Sequence, residues 1–414
     1  MKVSRLPSHL PSFVVPTRKL TIRSRLTFLT ENAKYSRELE AAVDVVQTAC
    51  RLCVEVQKKL FSKENSVLKK GDRTPVTVAD FGVQALISME LGRLFPSIPL
   101  VAEEDSRQLR SDLENFQQNS ASNSLVEAVM NAVTDSQGLQ AEPLNYNQIL
   151  KAIDRGGKAM TSEGKPATYW VLDPIDGTRG FVRGGKALYV VGLALVIEGT
   201  PTLGVMGCPN WDAESTYIVQ NLAKETTNEN ELEDFIVPGI IMAACYGCGT
   251  WIKKISCNTR NVALDGSKNG WSRCTVDNCD SIQAARFCIA DRETWERLPL
   301  SKNLAARVIS VDGVKSWKPT IVPTCCGSLC KYMMVAAGRA SVYPLQITKQ
   351  SSEKVWDHAA GMICVLEAAG EVTNWDGSNL ALSGDGDGRQ KIIPRGGGIL
   401  VTNKILHARL LHMI

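Results

Sequence analysis

The chain has 414 residues, 44% hydrophobic and 22% charged, an ordinary globular composition. It contains no run of about 18 apolar residues, so we expect no membrane-spanning helix and no membrane partner. Six basic and no acidic residues lie in positions 1–30, and the other 41 basic residues face 43 acidic ones. The body therefore lacks the basic field of a nucleic-acid-binding protein.

Residues 1–30 are rich in Arg and Ser and contain no acid, which is typical of organelle transit peptides. They lack the long apolar run of a secretory signal. The alternative is a disordered basic tail that carries no targeting signal. The composition favours a transit peptide, with the mitochondrion ahead of the chloroplast.

The next segments alternate between helical and extended patterns. Apolar residues at helical spacing predict a helix over residues 36–62. A second helix is predicted over residues 76–94, beginning near Thr77. Residues 99–105 read as a short strand that ends in acids, and the polar residues 106–140 as helices and loops.

The middle of the chain predicts strands. Tyr169–Asp173 is a short apolar strand, and residues 187–198 and 201–206 form a predicted hairpin that turns at Gly199. Two polar stretches are predicted to be irregular, residues 222–235 and 258–281.

Strands and helices alternate in the last third. Strands are predicted at residues 284–290, 305–311 and 341–344, and helices at residues 328–337 and 356–369. This alternation is typical of an α/β domain. We therefore expect an α+β domain over residues 36–278 and an α/β domain over residues 279–414.

The most informative segment is Trp170–Phe181. Its apolar strand runs into two carboxylates, Asp173 and Asp176, where Pro174 interrupts the ladder and Gly177 permits a sharp turn. Hard oxygen ligands that converge at a strand end suit Mg²⁺, which also leaves positions for water and phosphate.

Two further acidic segments accompany it. Glu103-Glu104-Asp105 closes a predicted strand, and Trp356-Asp-His-Ala-Ala-Gly361 opens a predicted helix. Taken singly, such segments are most often solvated loops, Asp-Gly turns or helix caps. All three together indicate a metal site.

These motifs resemble those of the lithium-sensitive, magnesium-dependent phosphatases of the inositol monophosphatase superfamily. The resemblance runs from about Tyr35 to the C-terminus, on Asp-Pro-Ile-Asp-Gly-Thr (173–178), Trp-Asp-His-Ala-Ala-Gly (356–361), Val-Ala-Glu-Glu-Asp (101–105) and Thr-Pro-Val-Thr-Val-Ala-Asp (74–80). Within the superfamily the chain looks like the 3′(2′),5′-bisphosphate nucleotidases of plant organelles. The resemblance implies a layered αβαβα sandwich with the site in a cleft between the two domains.

The resemblance also implies the site residues. One Mg²⁺ would be held by Glu103, Asp173 and the Ile175 carbonyl, and a second by Asp173, Asp176 and Asp357. Asp80 would complete the cluster, with a third, weaker metal left open. Thr178 and Glu103 would position the attacking water.

The implied substrate is a small phosphorylated nucleotide, adenosine 3′,5′-bisphosphate, whose 3′-phosphate is removed to give AMP. Nucleotidase-like features are Arg179-Gly-Phe181, His358, and Ser328 with Lys331 in Gly327–Tyr332. Thr178, Ser328, Lys331 and His358 would contact substrate; for Lys331, a solvated helix lysine is the equal alternative. Nucleotidases of this kind usually carry a His- and Ser-rich stretch after the first strand of the second domain. In this chain the region reads Ile289–Trp295 and has neither residue type. Arg292, by its charge, or Trp295, by stacking on adenine, would take its place.

Three alternatives to that substrate and function stay open at this stage. The sulfated analogue of the bisphosphate is a further substrate, and inositol polyphosphates are the rival class. A non-catalytic nucleotide or metal sensor on the same fold is the rival from another class. The sequence leaves the oligomeric state open.

Thirteen cysteines make a complete disulfide framework improbable, since the count is odd and the chain is not secretory. Cys50-Arg-Leu-Cys53 falls in a predicted helix. Cys245-Tyr-Gly-Cys248 is followed by three more cysteines, but their spacing is loose for zinc and no His accompanies them. We expect reduced cysteines, and a redox switch stays open.

Overall fold

The computed structural model describes most of the chain after residue 33. The described ranges are 34–62, 67–69, 75–119, 125–137, 144–157, 168–185, 187–211, 239–255, 270–312, 317–325, 327–347, 353–380, 382–384, 390–392 and 394–413. The predicted transit peptide and the predicted irregular segment 222–235 lie outside these ranges. None of the helices within them is long and apolar enough to span a bilayer.

The first part of the described chain combines six helices with a seven-stranded sheet. The helices are α1 (Ser36–Ser62), α2 (Val78–Leu94), α3 (Arg107–Asn119), α4 (Leu125–Gln137), α5 (Tyr146–Gly157) and α6 (Thr178–Arg183). A short antiparallel pair consists of β1 (Val67–Lys69) and β2 (Pro75–Thr77). The larger sheet holds, in spatial order, β3 (Leu100–Ala102), β4 (Thr168–Asp176), β5 (Val190–Ile197), β6 (Thr200–Cys208), β7 (Gly239–Cys245), β8 (Gly249–Ile255) and β9 (Trp271–Cys274).

The second part begins with β10 and contains two further sheets. Its strands are β10 (Arg286–Ala290), β11 (Thr320–Thr324), β12 (Val342–Gln346), β13 (Glu353–Lys354), β14 (Gly370–Asn374), β15 (Leu382–Gly384), β16 (Gln390–Ile392) and β17 (Gly398–Asn403). Its helices are α7 (Pro299–Asp312), α8 (Leu329–Ala336), α9 (Ala359–Glu367) and α10 (Lys404–Leu411). Five strands form one sheet in the order β11-β10-β12-β17-β14, and three form another in the order β13-β16-β15.

Three hydrophobic cores separate the layers of the described chain. The first lies between α1, α2 and one face of the seven-stranded sheet. The second lies between the opposite face of that sheet, α8, α9 and the five-stranded sheet, and the third beneath α7 and α10. Trp170 and Leu172 of β4 face the first core, whereas Val171 faces the second, because side chains alternate along a strand. This arrangement is the predicted αβαβα sandwich.

The predicted hairpin is present, with β5 and β6 joined at Glu198 and Gly199. Both residues have positive φ, 50° and 77°. Two successive residues of this kind match the twist of a tight hairpin, and glycine supplies the second without a steric cost.

Two predicted segments differ from the structure. Residues 305–311, predicted as a strand, lie within helix α7, because Leu304 and Val308, one turn apart, are buried in the third core. Within residues 258–281, predicted to be irregular, Trp271–Cys274 forms the edge strand β9. A run of β-branched residues misled the first prediction, and burial of one helical face decides the structure. The proposed domain boundary near residue 279 stays a prediction.

Candidate active site

Strand β4 carries two of the predicted metal ligands at its C-terminal end. Asp173 lies opposite Gly192 of β5 and Asp176 opposite Val190, so β4 holds one residue more than its partner over this interval. Residues three apart in a regular strand point to opposite faces. The extra residue of this bulge, which contains Pro174, instead allows the two carboxylates to converge.

The turn after β4 places a hydroxyl beside these carboxylates. Gly177 has the left-handed conformation, φ 83° and ψ 42°, and precedes helix α6. The Thr178 hydroxyl lies 3.1 Å from the Ile175 carbonyl oxygen and 3.4 Å from Asp80 Oδ1. The turn therefore brings Thr178 next to the Ile175 carbonyl and Asp80, and the roles that the resemblance implied for these three positions stay predictions.

Helix α2 holds the acidic segment that follows β3. The Gln84 side chain donates to the Glu104 carbonyl oxygen at 2.6 Å and accepts the Glu104 N–H at 2.9 Å. Glu103 is half-buried immediately before this clamp. Asp80 lies one turn before Gln84 on the same face of α2 and is fully buried. Sequence reasoning missed Gln84, although its four-residue spacing from Asp80 was a usable signal.

A third carboxylate reaches the site from the second part of the chain. Asp357 ends a short 3₁₀ turn, Val355–Asp357, directly before α9. One oxygen each of Asp173, Asp176 and Asp357 lies within 4.8 Å of the other two. Asp173 Oδ1 is buried and has no hydrogen-bond partner. An unpartnered buried carboxylate oxygen is costly unless a cation neutralises it.

The electrostatics of the cluster favour a cation. Desolvation, followed by repulsion from Glu103 and the other acids, raises the pKa of Asp173 well above its ordinary value. Desolvation likewise raises the pKa of Asp357, with repulsion from Asp176 second. Desolvation raises the pKa of Asp176 to about 6, although Lys331 pulls it down. Oxygen ligands of this kind suit a hard divalent ion, so the residues fit a metal.

Asp176 also binds the start of helix α8. Its Oδ1 accepts the Ser328 N–H at 2.9 Å, and its Oδ2 accepts the Leu329 N–H at 2.8 Å. Gly327 has φ 55°, and a Cβ there would lie 2.2 Å from Asp176 Oδ2. The Asp176 carboxylate therefore ties β4 to the opposite side of the site, a second role that sequence reasoning missed.

Lys331 lies in this wall of the site and is 6% exposed, so it is not a solvated helix lysine. Its ammonium donates to the Gly327 carbonyl oxygen and lies 5.8 Å from the centre of the Tyr343 ring. The Tyr343 hydroxyl donates to Ser328 Oγ at 3.2 Å. The structure thus brings Ser328 and Lys331 together beside Asp176, and their contact with substrate stays a prediction.

His358 has no exposed surface, although it was predicted to contact substrate. Its Nδ1 lies 2.9 Å from the Tyr332 hydroxyl and its Nε2 lies 3.3 Å from Glu353 Oε2. A contact with substrate would require one of these hydrogen bonds to break. Tyr332 in turn packs on Gly361, where a Cβ would lie 2.3 Å from its ring. Sequence reasoning missed both partners: Tyr332 is brought to His358 only by the fold, whereas Glu353 lies five residues before His358 and was a usable local signal.

The segment that replaces the His- and Ser-rich stretch is partly structural. Trp295 is buried in the third core, with its ring centre 4.9 Å from that of Phe287. Trp295 is thus a core residue, and its stacking on a substrate, considered from the sequence, stays a prediction. Asp291 accepts a hydrogen bond from Arg183 at 2.9 Å, which links this segment to α6. Arg292 is exposed.

The fold and this site define a class of protein. The model of the inositol monophosphatase family matches residues 34–414. The chain therefore belongs to the inositol monophosphatase family, and it is an enzyme, a phosphatase that hydrolyses phosphoric monoesters.

More particular similarities come from individual relatives. The chain is 49% identical over 398 residues to an Arabidopsis thaliana protein named, provisionally, as a mitochondrial 3′(2′),5′-bisphosphate nucleotidase; the match covers 96% of this chain and 91% of the relative. It is 35% identical over 386 residues to a 3′(2′),5′-bisphosphate nucleotidase of Oryza sativa, covering 92% and 94%.

A solved structure shares the fold. The extragenic suppressor protein suhB from Bartonella henselae is 19% identical and superposes with a TM-score of 0.50, covering 91% of this chain and 98% of suhB. At this level of identity the likeness concerns the fold alone.

Proposed function

We propose that this phosphatase removes the 3′-phosphate of adenosine 3′,5′-bisphosphate, with 3′-phosphoadenosine 5′-phosphosulfate, the sulfated analogue, as a second substrate. Water oxygen adds to phosphorus, the bond from phosphorus to the 3′-oxygen breaks, and that oxygen takes a proton, giving AMP and inorganic phosphate. The observations that carry the catalytic part are the convergence of Asp173, Asp176 and Asp357 and the buried Asp173 oxygen that has no hydrogen-bond partner. The nucleotidase names of the relatives support the substrate.

The proposed cofactor is Mg²⁺, in two sites. Glu103, Asp173 and the Ile175 carbonyl would hold one ion, and Asp173, Asp176 and Asp357 would hold the second. Asp80 would complete the cluster and could bind a third, weaker ion. When bound, the ions would offset the phosphate charge and lower the pKa of the attacking water. Carboxylate and carbonyl oxygens are ligands that Mg²⁺ prefers, which supports this choice.

Side chains of this protein would orient the attacking water. Thr178 is 5% exposed, and its hydroxyl lies between the Ile175 carbonyl and Asp80. A hydroxyl donates one hydrogen bond and accepts others, so Thr178 can donate a hydrogen bond to Asp80 while it accepts one from the attacking water. Glu103, at the edge of the cluster, is the proposed second partner of that water.

The opposite wall would bind the rest of the nucleotide. Lys331 provides a positive charge next to the Ser328 hydroxyl, and a point charge of this kind suits a phosphate. We assign the substrate's second phosphate to Lys331 and Ser328. The site would then lie between an α+β part, residues 36–278, and an α/β part, residues 279–414.

Phosphate release with a panel of substrates tests this function. The panel is adenosine 3′,5′-bisphosphate, its sulfated analogue, inositol 1-phosphate and inositol 1,4-bisphosphate. We expect the highest kcat/KM with the adenosine bisphosphate, no turnover in excess chelator, and inhibition by Li⁺. A preference for inositol 1,4-bisphosphate would overturn the nucleotide and leave the phosphatase. No release from any substrate at saturating Mg²⁺ would favour a sensor.

We also propose a mitochondrial location, because the relative with 49% identity carries that location in its name. Residues 1–30 fused to a fluorescent reporter should carry it into mitochondria. The matched control replaces the six basic residues of the segment by Gln. Fluorescence in chloroplasts would replace the mitochondrion as the proposed location. Fluorescence only in the cytosol would show that residues 1–30 are not a transit peptide.

A further inference from the structure

Two Cys-x-x-Cys motifs of this chain lie in different surroundings. Cys50 and Cys53 are in helix α1 and both are fully buried. Cys245 ends strand β7 and is 2% exposed, whereas Cys248, in the turn to β8, is half-buried. The same spacing thus gives one closed pair and one pair that solvent reaches through Cys248.

The geometry of the second pair suits a disulfide. The Cys248 N–H donates to the Cys245 carbonyl oxygen at 2.8 Å, which closes a four-residue β-turn. Such a turn holds its first and last Cα atoms within about 7 Å, and disulfides span about 4.4–6.8 Å between Cα atoms. The Cys248 thiol donates to the Tyr246 carbonyl oxygen within the same turn at 3.7 Å, and Cys248 lies close enough to contribute to the raised pKa of Cys245. The two sulfurs can therefore join with little movement of the backbone.

The turn is fixed in place and open to small molecules. Glu367, the last residue of α9, accepts the N–H groups of Gly247 and Gly249 at 2.9 and 2.8 Å. Tyr246, at the tip of the turn, is 73% exposed. A fixed turn with an exposed tip keeps the cysteine side chains close and leaves Cys248 accessible.

We propose that Cys245 and Cys248 are a thiol–disulfide exchange site, oxidised to an intramolecular disulfide by low-molecular-weight disulfides such as oxidised glutathione. This inference is independent of the proposed substrate. It concerns the hairpin tip at the C-terminal end of α9, whereas Asp357 lies before the N-terminal end of the same helix.

The exchange has two steps. The Cys248 thiolate attacks one sulfur of the small disulfide, a mixed disulfide forms, and one glutathione leaves and takes up a proton. The Cys245 sulfur then loses its proton and attacks the Cys248 sulfur, and the second glutathione leaves and takes up a proton. Two cysteine thiols lose two electrons, and one small disulfide gains them. Desolvation raises the pKa of Cys245 to about 12, so the accessible Cys248 reacts first.

Peptide mapping of the full chain tests the site. The protein is equilibrated in mixtures of reduced and oxidised glutathione, alkylated and cleaved after Lys and Arg. Cys245 and Cys248 then share the peptide 225–253, which holds no other cysteine, whereas Arg51 separates Cys50 from Cys53. We expect the oxidised peptide 225–253 to lose two hydrogen atoms and take no alkyl group, and dithiothreitol to restore both thiols.

Two variants separate the steps, and the buried pair is the internal control. Cys245→Ala should stop at one glutathione on Cys248, and Cys248→Ala should leave Cys245 a free thiol. Cys50 and Cys53 should be alkylated only after unfolding. The proposal is overturned if wild-type Cys245 and Cys248 both stay alkylatable at the most oxidising mixture, or if wild type stops at the glutathione adduct. Both readings use wild type alone, so a variant that fails to fold does not decide the result.

Discussion

The two walls of the active site use different parts of the chain. At the end of β4, side chains act: Asp173 and Asp176 converge, and desolvation raises the pKa of both. At the start of α8, the backbone acts: the N–H groups of Ser328 and Leu329 bind Asp176, and the buried ammonium of Lys331 lies beside them. One wall is negative and the other carries a positive charge, an arrangement that would suit the proposed metal and a phosphate.

Carboxylate ligands can be recognised in the sequence by their residue type. Backbone N–H donors are nearly the same in every residue, so only the fold shows which of them contribute to a site. Variants that change one wall at a time should therefore separate metal binding from substrate binding.

The largest effect is expected for Asp176, which belongs to both walls. Asp176→Asn removes a charge from the cluster, and the new amide NH₂ meets a backbone N–H at α8. We expect kcat to fall at least about 10²-fold, because charge stabilisation is the main contribution of such a site. Rates at saturating Mg²⁺ measure it. Asp291→Asn, which breaks only an exposed ion pair, is the control. Full activity of Asp176→Asn would exclude the assigned role.

The next effect is on stability without metal. Desolvation raises the pKa of Asp176 to about 6, whereas an unfolded Asp titrates near about 3.9. The folded chain therefore binds this proton more tightly, and the resulting stability is complete below about pH 4 and lost as pH rises through about 6.

Urea unfolding in excess chelator measures this dependence. For Asp176 alone, the free energy of unfolding should fall by roughly 2–3 kcal/mol across that window. Asp176→Asn should show a smaller fall than wild type, and Mg²⁺ should stabilise wild type at pH 7. An equal fall in both proteins would contradict the raised pKa.

A similar or smaller effect is expected for Lys331→Met, which keeps an apolar stem in the buried site. If Lys331 binds the second phosphate, kcat/KM for adenosine 3′,5′-bisphosphate should fall. The fall should correspond to a loss of about 1.5–3 kcal/mol in transition-state stabilisation, the range for a charged hydrogen bond. The kcat/KM for adenosine 3′-monophosphate, which lacks the second phosphate, should change little. Lys302→Met, on the exposed side of α7, is the control. Equal losses on both substrates would make Lys331 a support of the fold.

The smallest effect is expected for Thr178→Ala. Loss of one neutral hydrogen bond costs about 0.5–1.5 kcal/mol, so kcat should fall up to about tenfold. The affinity for Mg²⁺, measured by titration calorimetry, should stay near that of wild type because Thr178 is not an assigned ligand. A variant with weaker metal binding and an unchanged rate at saturating Mg²⁺ would reverse this assignment.

The sequence predicted the layered fold and most elements around the site. The strand that leads into Asp173, helix α2 and the hairpin at Gly199 were predictable from local signals: buried apolar runs, an acid in the first turn of α2 and a glycine at the turn. Helix α7 was wrongly predicted as a strand because its β-branched residues have a strand propensity that packing overrides.

Other features depend on contacts far apart in sequence. The hydrogen bond of His358 to Tyr332, 26 positions away, and those of Asp176 to α8 follow from the packing of α8 and α9. The burial of Trp295 depends in the same way on Phe287 and Trp317. Local composition contains no signal for such contacts, so their discovery required the structure.

The bond between Asp176 and α8 also bears on how the chain folds. Asp176 and Ser328 are 152 positions apart, so their hydrogen bond closes a very long loop. Contacts of this separation form slowly, because the entropy of loop closure must be overcome before the contact stabilises anything. We expect the sheet that carries β4 to gain protection first and the amides of Ser328 and Leu329 to gain it last, in pulse-labelled hydrogen exchange during refolding. The newly made enzyme would then become active only in its final folding step.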